Sequence, residues 1–192
     1  NNAATAPDGT VTATALKETA VTQAQYTQQN VSNLCSTVTF STFIKAGTRP
    51  WASLFLSDGP FNGNRFYFNL SGGGSVGSNV PNLLGFTNVS ASISESSPGS
   101  GWYRCSITGT STYDGTISVS IAGATGDLGV TYTGVNTNTA IYIWGSQLQF
   151  GRRPSIYLAS LSSGSQTEFI EEYVTSASPS TAIIPSSSLL GY

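Results

Sequence analysis

The chain has 192 residues, only 8% of them charged, and a formal net charge of −2 from seven Lys and Arg against nine Asp and Glu. That length makes one medium-sized domain, and nine Phe, nine Tyr and three Trp can fill its core. So few cations leave no basic stripe for nucleic acid or an anionic membrane, no apolar run is of transmembrane length, and the absence of histidine removes the usual neutral-pH general base and the commonest zinc ligand.

Asn1 to Thr5 carry neither a basic nor an apolar leader signature, and the chain contains no Met, so it reads as a processed product or a fragment. Lys17 to Asn33 is polar and Gln-rich, which predicts a long loop or an edge strand wrapping the fold. From Leu34 to Lys45 the apolar Leu34, Val38, Phe40 and Ile44 share one face and Thr37, Thr39 and Ser41 the other, the pattern of a half-buried antiparallel strand. Trp51 to Leu56 is the next strand. Arg65 to Leu70 then sends Phe66, Phe68 and Leu70 inward and Arg65, Tyr67 and Asn69 outward, after turn residues in Asp58-Gly59-Pro60 and Asn62-Gly63-Asn64.

Beyond a flexible Ser71 to Ser75 stretch, period-2 alternation returns at Val89 to Ile93, Tyr103 to Ile107, Ile117 to Ile121, Ile141 to Ile143 and Leu148 to Phe150. Turns at Ser97-Pro98-Gly99 and Tyr113 to Thr116 separate them. This spacing predicts an all-β antiparallel sandwich or jelly roll of roughly ten to twelve strands. Residues 1–160 form the sandwich domain in this reading, and 161–192 a Ser-rich, irregular C-terminal arm that contacts a neighbouring subunit. Cys35 and Cys105 are read as two buried free thiols in preference to one disulfide.

Gly101-Trp102-Tyr103-Arg104-Cys105-Ser106-Ile107-Thr108, followed by Ile141-Tyr142-Ile143-Trp144-Gly145-Ser146-Gln147-Leu148-Gln149-Phe150-Gly151, resembles a recurrent bacteriophage virion module of the concanavalin A-like or laminin G-like type. Ala6-Pro7-Asp8-Gly9-Thr10, the Thr39 to Gly47 strand and Tyr67-Phe68-Asn69-Leu70 add to the likeness, which covers about residues 3 to 160. Where related sequences end in Ser-Tyr-Ile-Pro-Thr, this chain has Ser155-Ile156-Tyr157. The resemblance implies a lectin-like β-sandwich in a phage structural or host-recognition protein and brings no catalytic residues. Its motifs carry Trp102, Arg104, Trp144 and Gln147, read as structural, with both tryptophans taken as core packing or inter-sheet filling more than as a sugar platform.

Candidate binding residues come from the chemistry of side chains. Trp51, at a strand start beside a turn, could offer a flat face to a sugar ring, and Asp58, Asn62, Asn64 and Arg65 could hydrogen-bond its hydroxyls, although a core tryptophan and a polar hairpin loop explain the same residues. Asp114 and Asp127 lie beside glycines but lack the run of oxygen ligands that a calcium site needs, so neither metal nor cofactor is expected. Glu168, Glu171 and Glu172 cluster only in the arm, which gives no support to a carboxylate-pair glycosidase. Arg152-Arg153-Pro154 reads as an intersubunit salt-bridge position or a solvated turn more than an anion site.

The expectation is a non-enzymatic structural protein of an extracellular tailed-phage virion, a capsid decoration or tail-fibre-associated domain. Its expected partners are other virion proteins, further copies of itself in a homo-oligomer with a trimer favoured, and host-surface carbohydrate. The alternative is a carbohydrate-binding module of a secreted polysaccharide-degrading enzyme.

Overall fold

The computed structural model describes residues 2–32, 36–58, 63–81, 86–111 and 115–157. These form an all-β fold of twelve strands, paired antiparallel throughout and without a helix among the described residues. One five-stranded sheet runs in the order β1 (Thr14–Lys17), β12 (Thr139–Phe150), β4 (Thr37–Ala46), β9 (Trp102–Ser111), β8 (Phe86–Glu95). The second runs β3 (Tyr26–Ser32), β10 (Thr116–Ala124), β5 (Trp51–Asp58), β6 (Gly63–Asn69), β7 (Ser75–Pro81). A small ribbon of β2 (Thr22–Ala24) and β11 (Thr131–Thr133) closes one end.

Alternation decides what meets between the sheets. Val38, Phe40 and Ile44 of β4, Cys105 and Ile107 of β9 and Ile141 of β12 face Leu54 and Leu56 of β5, Phe66 and Phe68 of β6 and Ile117, Val119 and Ile121 of β10, all buried in one core. Each such large side chain contributes about 1.5–3 kcal/mol of burial. Cys105 is a free thiol in this core, and burial pushes its pKa upward, so it packs as a small hydrophobe. Cys35 lies outside the described residues.

The polar face of β4 departs from the half-buried expectation: Thr39 and Ser41 are both buried. The cause is a strap, residues 151–157, that folds back from the end of β12 across the outer face of the first sheet. Thr39 Oγ1 donates to Gly151 O at 2.7 Å, Gln149 Nε2 to Arg153 O at 2.9 Å, and the Arg104 guanidinium to Ser155 O. The Gln-rich segment supplies edge strand β3, as one of its two readings expected. Strand β7, by contrast, has no counterpart in the sequence reading: the glycines expected to be a flexible stretch make a tight turn, Gly74 N to Ser71 O at 3.0 Å, that launches it.

Candidate functional site

Trp102, Arg104, Trp144 and Gln147 lie together on the outer face of the first sheet. Residues 3–13 form a hairpin, with Ala3 N donating to Ala13 O at 2.7 Å and the Asp8 carboxylate accepting from Thr10 N at 2.9 Å in its turn. The Asp8 carboxyl is held below its usual range by the Thr10 backbone and hydroxyl donors. Trp102 Nε1 donates to Thr5 O at 3.1 Å while its ring packs on Ala6 and Ala13, and Trp144 Nε1 donates to Thr12 Oγ1 at 3.0 Å. Both tryptophans therefore sit on the outside of the sheet and grip the N-terminal hairpin: Trp102 is buried in a small core with Ala6 and Ala13, as its core-packing reading expected, and Trp144 packs partly buried against it, but neither fills the space between the sheets.

Arg104 and Gln147 perform the matching task for the strap. Arg104 also donates to Ser41 Oγ at 3.2 Å and lies over the Phe43 ring, 5.4 Å from its centroid, while Gln147 Nε2 donates to Ser155 Oγ at 2.9 Å. Tyr157 closes the strap against Trp144, ring centroids 4.5 Å apart. The geometry depends on a bulge: Trp144 pairs with Phe43 and Gln147 with Ser41, so the extra residue puts an even and an odd position on the same face. Gly145 makes the bulge at φ +61°, and a Cβ there would meet the Phe43 and Tyr157 rings at 3.2 Å.

The expected saccharide residues divide between opposite faces. Trp51 and Arg65 lie on the outer face of the second sheet, where β5 sets Trp51, Ser53, Phe55 and Ser57 and β6 sets Arg65 and Tyr67. Asn64 does not join them, because it alternates inward with Phe66 and Phe68, is buried, and accepts from Asn79 Nδ2 at 3.3 Å. Asn62 and the Asp58 side chain lie outside the described residues, as does Asp114.

On that outer face Arg65 Nη1 donates to Ser53 Oγ at 3.0 Å and its guanidinium lies 4.8 Å from the Phe55 ring centroid. Burial pushes its pKa down, opposed by Tyr67, and no carboxylate pairs with it among the described residues. Tyr67, only 3% exposed, has its phenol pushed upward by burial. Trp51 is half-buried: its ring and Asp127 both press on Gly77, where a Cβ would stand 2.7 Å from each, so only glycine fits. Asp127 takes no ligand set about it but caps β7, accepting from Ser78 N at 2.9 Å and Ser78 Oγ at 2.8 Å.

Phe55, Ser53, Tyr67 and Asp127 are thus part of a cluster that the loop-centred reading missed. The outward alternation of Trp51, Ser53 and Phe55 was a signal for the first two, whereas Asp127 arrives from a distant loop and left none. No group of three or more Cys, Asp or Glu is arranged to hold a metal ion among the described residues. No protein-family model matches the chain, and neither does any curated protein.

Proposed function

We propose that this chain is a non-enzymatic structural module of a tailed-phage virion, a decoration or tail-fibre-associated domain whose work is mechanical and adhesive. It assembles as a homo-oligomer with other virion proteins, and the outer face of its second sheet meets host-surface carbohydrate. The observation that carries the adhesive part is Arg65: a half-buried guanidinium without an ion-pair partner among the described residues, laid over Phe55, with Tyr67 next along β6 and Trp51 four residues from Phe55 on the same face of β5. An arginine so placed keeps donors for hydroxyl oxygens, and the partly exposed rings of Phe55 and Trp51 provide apolar surface for a sugar's C–H face. The structural part draws support from Trp102, Arg104, Trp144 and Gln147, which donate to the N-terminal hairpin and to the strap.

A saccharide array probed with the parent, Trp51→Ala and Arg65→Ala tests the face. Binding falls about tenfold or more in each variant, as expected for loss of an aromatic or charged contact of about 1.5 kcal/mol, while the melting temperature shows each still folded. Variants that bind as tightly as the parent would remove this face from consideration.

A further inference from the structure

We propose a second binding site, for an acidic saccharide, in the groove between the strap and strand β8. The groove has a volume of about 330 Å³, within the range of small-ligand clefts, and is lined by Ser90, Ser92, Ser106, Thr108, Arg152 and Arg153, with Pro154 at its wall. This inference rests on the adhesive reading above and names a ligand class for a different surface.

Three features separate the groove from a solvated turn. The strap's carbonyls are already occupied by the sheet: Gly151 O accepts from Thr39, Arg152 O from Thr108, Arg153 O from Gln149 and Ser155 O from Arg104. The backbone that carries both arginines is therefore fixed, which lowers the entropy cost of binding through them. Second, Arg152 and Arg153 are exposed and unpaired, since the one ion pair among the described residues is Arg49 with Glu18. Two of the chain's seven cations thus stand side by side without a carboxylate partner among the described residues, in a molecule of net charge −2. Third, the floor is a bank of hydroxyls. Ser92 Oγ and Ser106 Oγ are 2.7 Å apart and Thr108 Oγ1 is 2.8 Å from Thr39 Oγ1, while Ser90 and Ser92 open to solvent.

Paired guanidinium forks bind carboxylate or phosphate oxygens, and hydroxyls exchange hydrogen bonds with sugar hydroxyls. The groove lacks an aromatic on which a base could stack, and two cations are too few to track a phosphate backbone, which favours a saccharide over nucleic acid. The oxyanion is a sugar carboxylate or a sugar phosphate ester.

Titration calorimetry of the full chain with tetragalacturonate, glucose 6-phosphate and neutral maltotetraose tests the site. The parent binds at least one acidic probe, and the better of the two names the oxyanion. Arg152→Gln/Arg153→Gln, whose side chains are solvent-exposed, keeps the parent's melting temperature and loses about tenfold or more of that affinity. Unchanged affinity for the acidic probe in the double variant, or its loss in Trp51→Ala instead, overturns the groove and assigns the acid to the other sheet. If the parent binds neither acidic probe, the groove proposal fails. Carbohydrate binding at the Trp51 and Arg65 face is judged separately, by the array.

Discussion

Glu18 and Arg49 are the two residues whose charges matter most to stability. Glu18 has no exposed side-chain surface, and its carboxylate accepts from Arg49 Nη2 at 3.0 Å, Val135 N at 2.8 Å and Thr48 Oγ1 at 3.1 Å, while the guanidinium stacks 4.3 Å over Tyr132. The Arg49 hydrogen bond, helped by Val135 and Thr48, holds the Glu18 carboxyl below its usual range against desolvation. A depressed folded-state pKa means that this stabilisation is complete above the ordinary glutamate value and is lost as pH falls through it toward the lower folded value. Glu18→Gln should therefore cost about 3 kcal/mol at pH 7, roughly 10 °C in melting temperature, because it leaves Arg49 partly buried without its countercharge. Melting curves between neutral and acid pH should also show the gap between parent and variant narrowing below the glutamate range. A gap that stays constant with pH would mean that Glu18 acts through packing alone. None of this was legible in the sequence, where Glu18 and Arg49 stand 31 positions apart without a local pattern to join them.

At the scale of elements, two additions to the sandwich both touch Trp144, through Thr12 and Tyr157, but rest on separate anchors in Trp102 and Arg104 and should open separately when one anchor is removed. The N-terminal hairpin is held by Trp102 and Trp144, and the strap by Arg104 and Gln147, through hydrogen bonds that do not overlap. Arg104→Ala removes two charge-assisted bonds, at a cost of about 2 kcal/mol, and should speed hydrogen exchange at the Gly151 and Ser155 amides while leaving Ala3, Ala6 and Ala13 protected. Trp102→Ala should do the reverse. Exchange that rises everywhere in both variants would make the two additions one cooperative unit with the core. The strands themselves were largely readable, since period-2 alternation placed β4, β5, β6, β9, β10 and β12 and sent Phe66 and Phe68 inward. Alternation failed at β7, where Gly77 and Pro81 suit a short edge strand but give no apolar rhythm. It also could not show that a strap covers the Thr39 face, because that burial comes from a segment 112 residues away. For the same reason the loop reading put Asn64 beside Arg65, although adjacent residues of a strand point to opposite faces.

In the whole molecule the N-terminal hairpin and the strap are both fastened to the outer face of one sheet, the strap through Ser155 and Tyr157 among the described residues. Exposed large hydrophobics among the described residues are Val11, Val21, Tyr26, Val76, Val80, Leu128, Val135, Phe150 and Ile156, of which Val76 and Val80 share strand β7. The arm expected to join copies carries Ile183, Ile184, Leu189 and Leu190 in residues 161–192, which lie outside the described part. Light scattering should then give the full chain a mass three times its 19.9 kDa, and a variant ending at Ser160 a single chain mass with the parent's near-ultraviolet dichroism. A truncated chain that remains trimeric would move the interface onto the sandwich, and one that unfolds would make residues 161–192 part of the fold. A monomeric full chain would overturn assembly in solution and favour the solitary carbohydrate-binding module, with the Trp51 and Arg65 face as its working surface.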